Sequence, residues 1–163
     1  MISVKDNYLN ETEYQTLYNI ITGVDFPWCF NSYKVGKSDE TDLEGFQFVH
    51  IFYNLSEVTS PGIKILEPIL TKLKYKTLIR IKLNLNPYSQ KLIVWSYHQD
   101  QDYKAKAAIY YLNTNNGYTL FKKGNKKINS VKNRMVFFDT DEYHLSTNST
   151  DCKNRLVLNF NYF

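Results

Sequence analysis

Thr77-Leu78-Ile79-Arg80-Ile81-Lys82-Leu83-Asn84-Leu85-Asn86 alternates without a break. Ile79, Ile81, Leu83 and Leu85 share one face of an extended chain, and Arg80, Lys82, Asn84 and Asn86 share the other. A period of two over ten residues specifies a strand. Further stretches with strand character follow at 91–98, 107–113, 118–121, 128–131, 134–139 and 154–162. Asn86-Pro87-Tyr88-Ser89, Asn115-Asn116-Gly117 and Lys123-Gly124-Asn125 supply turns between them. Many short strands at even spacing predict a sandwich or barrel.

Upstream, the pattern is mixed. Asn10-Glu11-Thr12-Glu13 predicts a capped helix start, with Leu17, Ile20 and Ile21 on one face and Gly23 as the stop. Residues 26–30 (FPWCF) read as a buried aromatic anchor, 34–45 as a polar loop and 45–54 as a strand. Ser60-Pro61-Gly62 leads into a second helix, whose regular part starts near Glu67 because Pro68 is tolerated only in a first turn. The chain is therefore mostly β with α. Two helices in a support region (1–76) precede the strands of 77–163, all within a single domain of 163 residues. Both helices are expected on one outer face of the sheet.

At 43% hydrophobic and 22% charged residues, the composition is that of a soluble globular chain. No apolar run approaches a membrane span and the N-terminus lacks a signal peptide's apolar stretch, so the expected compartment is the cytoplasm. Cys29 and Cys152 are too few for a disulfide framework and are expected as reduced thiols without a role. The net charge of +4 is uneven: residues 61–134 hold 15 basic and 3 acidic side chains. This is read as a solvated lysine-rich face. The basic segment 121–134 is expected as an exposed hairpin, because it lacks the interleaved aromatics of a single-strand binder.

His98-Gln99-Asp100, His144 and Arg155 are the residues that could carry chemistry. In an extended segment His98 and Asp100 point to the same side. Two histidines and a carboxylate suit a facial triad that leaves positions open on iron(II). Asp102 competes with Asp100, and Asp139, Asp141 and Glu142 lie near His144. Arg155 opens an otherwise apolar strand, where a guanidinium needs a partner and fits a carboxylate in two-pronged fashion. An ion pair with Asp151 is the plain alternative. His50 is read as a structural histidine.

The spacing His-x-Asp, then His, then Arg, together with AAIYYLN, GYTLF, VFFDTDEYH and RLVLNFNYF, resembles the iron(II)- and 2-oxoglutarate-dependent oxygenases, in particular their prolyl 4-hydroxylase-like branch. The resemblance covers residues 77–163. It implies a double-stranded β-helix (jelly roll), with His98, Asp100 and His144 as metal ligands and Arg155 on the distal carboxylate of 2-oxoglutarate. Asp100 is preferred to Asp102 on the family's His-x-Asp pattern. The family's Arg-x-Ser variant is absent, since Val157 stands two residues on. Tyr111 is therefore the candidate for the second carboxylate contact. Asn84, Asn86, Tyr88 and Thr119 are further candidates, Asn86-Pro87-Tyr88 resembling an Asn-x-Tyr pattern of nucleic-acid demethylases in the superfamily.

The activity implied is hydroxylation of a C–H bond, using molecular oxygen and yielding succinate and carbon dioxide. A peptide or small-molecule substrate is favoured over nucleic acid. The Lys/Asn/Tyr/Ile-rich composition resembles that of phage-encoded members. Two rivals stand beside this reading: a catalytically silent jelly-roll binding module, and a metal enzyme that does not use 2-oxoglutarate.

Overall fold

In the computed structural model, residues 1–34 and 45–163 are described. The loop expected at 34–45 thus lies, apart from its end residues, outside the described residues. The elements are β1 (Ser3–Lys5), α1 (Glu11–Thr22), β2 (Cys29–Asn31), β3 (Gln47–Asn54), β4 (Glu57–Val58), a 3-10 turn (Pro61–Leu66), α2 (Glu67–Leu73), β5 (Leu78–Pro87), β6 (Lys106–Tyr111), β7 (Tyr118–Phe121), β8 (Lys126–Asn129), β9 (Arg134–Asp139), β10 (His144–Ser146) and β11 (Asn154–Tyr162).

The capping box forms as read. Asn10 Oδ1 accepts the Glu13 N–H at 2.9 Å, and the Glu13 carboxylate accepts the Asn10 N–H at 3.0 Å. The helix buries Tyr14, Leu17 and Ile21, so its apolar stripe runs one turn earlier than the sequence suggested and leaves Ile20 exposed. Gly23 ends it in an extended conformation. The 26–30 anchor is only half an anchor. Phe26 and Trp28 pack against the core, whereas Phe30 lies on edge strand β2 and is 64% exposed. The second helix starts at Glu67 with Pro68 in its first turn, after Ser60 Oγ has accepted the Gly62 N–H. The β3–β4 hairpin turns through Leu55 and Ser56, both at positive φ, a primed turn without the glycine that normally announces one.

From β5 onward the chain alternates between two antiparallel sheets. The larger has the order β1-β9-β6-β11-β5-β3-β2, with β4 beside β3; the smaller is β10-β7-β8. Residues 91–98 extend the smaller sheet by two isolated bridges, Val94 to Thr147 and His98 to His144, rather than as the continuous strand expected. The result is the double-stranded β-helix, with β5, β6, β9 and β11 in one layer and 94–98, β7, β8 and β10 in the other.

Strand alternation divides the apolar residues into two cores. Leu83, Ala108, Tyr110, Leu156, Leu158 and Phe160 face the helices, against Leu17, Ile21, Ile69 and Leu73. Ala107, Ile109, Tyr111, Val136, Phe138 and Val157 face the smaller sheet, against Phe121 and Ile128. One irregularity corrects the reading of β5. A register shift opposite Asn161 and Tyr162 puts Leu78, not Ile79, into the helix-side core. Asn133, at φ 59°, ties the N-terminal segment down: its side chain exchanges hydrogen bonds with Leu9 N–H and C=O, both 2.9 Å, and accepts the Tyr110 hydroxyl at 2.8 Å.

Candidate metal and cosubstrate site

The same alternation that sends Leu83 and Leu158 toward the helices turns Arg80, Lys82, Asn84 and Asn86 of β5, and Arg155, Val157 and Asn159 of β11, between the sheets, where all of them line a cavity of about 180 Å³. His98, Gln99, Asp100, Thr119, His144 and Ser146 line it from the other side. The polar face of β5 is therefore a cavity wall, not a solvated surface.

His98 and His144 are held opposite one another by the backbone. Each N–H donates to the other's C=O at 2.9 Å, and the two rings lie 4.6 Å apart. The ring Nδ1 of His144 lies 2.9 Å from Glu142 O and that of His98 lies 3.3 Å from Ser96 O. A carbonyl can only accept, so each Nδ1 carries a proton, which in the neutral tautomer leaves the Nε2 lone pair for a metal. Burial, then the neighbouring His144, pulls His98 below its usual value and favours that neutral form. Asp100 completes the group: one ligand atom from each of the three residues lies within 4.8 Å of the others. Its Oδ2 accepts from Asn161 Nδ2 at 2.9 Å and its Oδ1 faces Arg80 Nη2 at 3.4 Å. Asp102, the competitor, is exposed. Asp139 pairs with Lys106 at 2.8 Å, and Glu142 lies 3.9 Å from Lys123. Two imidazoles and a carboxylate on one side of a cavity fit iron(II) with open positions.

Arg155 is 2% exposed. Its Nε donates to Ser130 Oγ at 2.9 Å, and its Nη2 lies 3.4 Å from Thr119 Oγ1. Among the described residues no carboxylate lies within 4.0 Å of it, and Asp151 instead accepts from Asn116 N–H. A buried guanidinium without an anion is costly. Burial pulls it down from its ordinary value, while Tyr111 opposes this. Gly117 makes room for the arginine, since a Cβ there would meet Arg155 Cδ at 2.6 Å.

Tyr111 stands behind this arrangement. Its hydroxyl donates to Thr119 Oγ1 at 2.7 Å and its ring centroid is 5.4 Å from the Arg155 guanidinium carbon. Thr119, not Tyr111, forms the cavity wall. Asn84 and Asn86 line the cavity, but Tyr88 does not: β5 ends at Pro87, and Tyr88 is 52% exposed with its N–H on Lys153 O. His50 has both ring nitrogens engaged, by Pro27 O at 2.8 Å and Ser60 Oγ at 2.9 Å, on the opposite side of the sheet. Ser130, Asn161 and Arg80, which hold Arg155 and Asp100, were missed as site residues. Only their register in the sheets identifies them.

No protein-family model matches this sequence, and no curated protein matches it. Solved structures do. An oxidoreductase of the 2OG-Fe(II) oxygenase family from Burkholderia pseudomallei superposes with a TM-score of 0.72 at 9% identity, over 99% of this chain and 84% of that one. A prolyl hydroxylase from Trichoplax adhaerens, in complex with a hypoxia inducible factor peptide, gives 0.67 at 18% identity over 99% and 83%. A viral collagen prolyl hydroxylase from Paramecium Bursaria Chlorella virus-1, as its 2OG complex, gives 0.64 at 15% over 98% and 94%. At these identities the likeness establishes a shared fold.

Proposed function

We propose that this protein is an iron(II)- and 2-oxoglutarate-dependent dioxygenase that hydroxylates a C–H bond of a peptide or small molecule, with succinate and carbon dioxide as co-products. One observation carries the reading: a buried arginine with no carboxylate partner among the described residues lines the same cavity as two imidazoles and a carboxylate within 4.8 Å of each other. His98, Asp100 and His144 would hold the metal. Bound there, iron and 2-oxoglutarate supply the oxidative decarboxylation that drives hydroxylation.

The remaining residues bind and orient. Arg155 offers its unused donors to the distal carboxylate, and Thr119, fixed by the Tyr111 hydroxyl, sits beside it. Asn161 and Arg80 aim the Asp100 carboxylate, and the Glu142 and Ser96 carbonyls fix the imidazole tautomers. The fold shared with peptide-bound and 2OG-bound hydroxylases supports the cosubstrate and a peptide as one substrate class.

Anaerobic titration with iron(II) and then 2-oxoglutarate tests the proposal. A visible metal-to-ligand charge-transfer band is expected on adding the second component. Metal binding without that band would remove 2-oxoglutarate from the reading, and absence of metal binding would leave a silent jelly-roll module.

A further inference from the structure

The cavity is strongly asymmetric in charge. Among the described residues, Arg80, Lys82 and Arg155 line it against a single carboxylate, Asp100. Filling the site as proposed does not remove the imbalance, because the two charges of iron(II) cancel the two of 2-oxoglutarate. The cations also fall into two places. Arg155 pairs across the sheet with Asn86, whereas Lys82 pairs with Asn159 and Arg80 with Asn161, further along the same two strands and next to Asp100. A cosubstrate anchored on Arg155 therefore leaves Lys82 and Arg80 facing the rest of the cavity. Among the described residues the one anion beside them is Asp100, whose Oδ1 faces Arg80 Nη2 at 3.4 Å. Among the described residues no carboxylate lies within 4.0 Å of Lys82, and Arg80 Nε is buried without a hydrogen-bond partner. Half-buried cations lining a cavity are retained at a desolvation cost that a bound anion offsets.

We infer that the primary substrate presents an anionic group, a carboxylate or phosphate, to Lys82 and Arg80 beside the metal triad. This rests on the cosubstrate reading, because it assumes that Arg155 is occupied. Lys82 is the recognition residue, and Asn84 and Asn159, which flank it on the cavity wall, supply neutral hydrogen bonds. The inference narrows the substrate to acidic peptides, carboxylate-bearing small molecules or phosphorylated molecules.

The test uses the full chain loaded with zinc(II), which is redox-silent, and saturating 2-oxoglutarate at low salt. Amide resonances are followed by NMR while glutarate, inorganic phosphate or neutral glutaramide is titrated in. Saturable shifts at residues 80–84 and 159–161 are expected with an anion and not with glutaramide. Glutarate acting alone identifies a carboxylate site, and phosphate acting alone a phosphate site. Lys82→Met should weaken the anion about tenfold or more, one charge-assisted contact being lost, with 2-oxoglutarate affinity and melting temperature unchanged; Lys82→Gln is the second variant should the methionine misfold. Equal shifts from glutaramide, no shifts from either anion, or wild-type anion affinity in the Lys82 variants would overturn the inference. Wild-type protein that fails to bind 2-oxoglutarate at all would sink the cosubstrate reading, and this inference with it.

Discussion

Replacing Gly117 by alanine should damage two properties at once, and the structure sets the scale of each. The added Cβ would lie 2.5 Å from Asn148 O, 2.6 Å from Arg155 Cδ and 2.8 Å from Asn115 Oδ1. None of these is open space. Asn148 is tethered because its side chain accepts from Ile93 N–H and donates to Lys91 O. Asn115 Oδ1 is held by the Gly117 N–H itself at 3.0 Å. All three contacts are under 3.0 Å, so Arg155 must move along with the Asn148 carbonyl and the Asn115 side chain. Overpacking of this kind costs about 1–3 kcal/mol, which lowers the melting temperature of a chain this size by roughly 2–12 °C. On the proposed function, moving the guanidinium should also cost at least one charged hydrogen bond to 2-oxoglutarate, about 1.5–3 kcal/mol, or roughly 10- to 150-fold in affinity. Gly124→Ala is the contrast. That glycine sits at φ +71° with nothing within 4 Å, so alanine there should cost about 1–2 kcal/mol of backbone strain and leave 2-oxoglutarate binding unchanged. Thermal melts and anaerobic 2-oxoglutarate titrations of both variants are the assay. A Gly117→Ala protein that melts and binds like wild type would refute the account of how Arg155 is seated.

Alanine at His98, Asp100 or His144 should abolish iron binding and succinate formation without unfolding the chain, whereas Asp102→Ala should keep both; wild-type metal affinity in any of the first three removes that residue from the triad. Arg155→Ala should weaken 2-oxoglutarate by about 1.5–3 kcal/mol per lost bond while sparing iron, and Tyr111→Phe should do so more mildly, as measured by titration at fixed metal. Asn133→Ala should destabilise strongly, by about 1–3 kcal/mol for each buried group left unpaired, because Leu9 and Tyr110 lose their partner; a small shift in the denaturation midpoint would contradict this. The Arg134 guanidinium holds Asp6 below its ordinary 3.8. Its contribution to stability is therefore complete above that value and is lost as pH falls through the lower folded value, so Asp6→Asn should flatten the acid limb of a stability–pH curve below about pH 4.

The sequence made the fold legible wherever burial imposed a clean period. β7, β9 and β11 fall where alternation put them, and the capping box marked α1 to the residue. Legibility failed where pairing rather than pattern decides structure. β10 is three residues long and was not visible as a strand, while 91–98 reads as one and is paired only at two bridges. The bulge near Leu78 inverts a face that strict alternation had assigned to Ile79. For the site, His98, Asp100 and His144 could be named because their spacing is a pattern, and the structure brings them together. Their supports could not, because Ser130, Asn161 and Arg80 meet their partners only through strand register. Tyr88 failed as a cavity residue for a related reason: lying one residue past Pro87, where β5 ends, it is carried out of the sheet and into solvent.

The bridge between His98 and His144 has a wider meaning. Among the described residues it is one of two bridges tying 94–98 to its neighbour, with one further backbone bond from Trp95 N–H to Ser146 O, so the backbone alone specifies that edge weakly. Sliding the segment by a single residue would reverse every side chain on it. His98 would then leave the cavity, and Tyr97 or Gln99 would take its place opposite His144. The correct alignment of this edge is thus the alignment that assembles the three ligand atoms. An error in strand pairing there would register at once as a lost binding site, and anything that binds the assembled trio adds its binding free energy to the correctly paired edge.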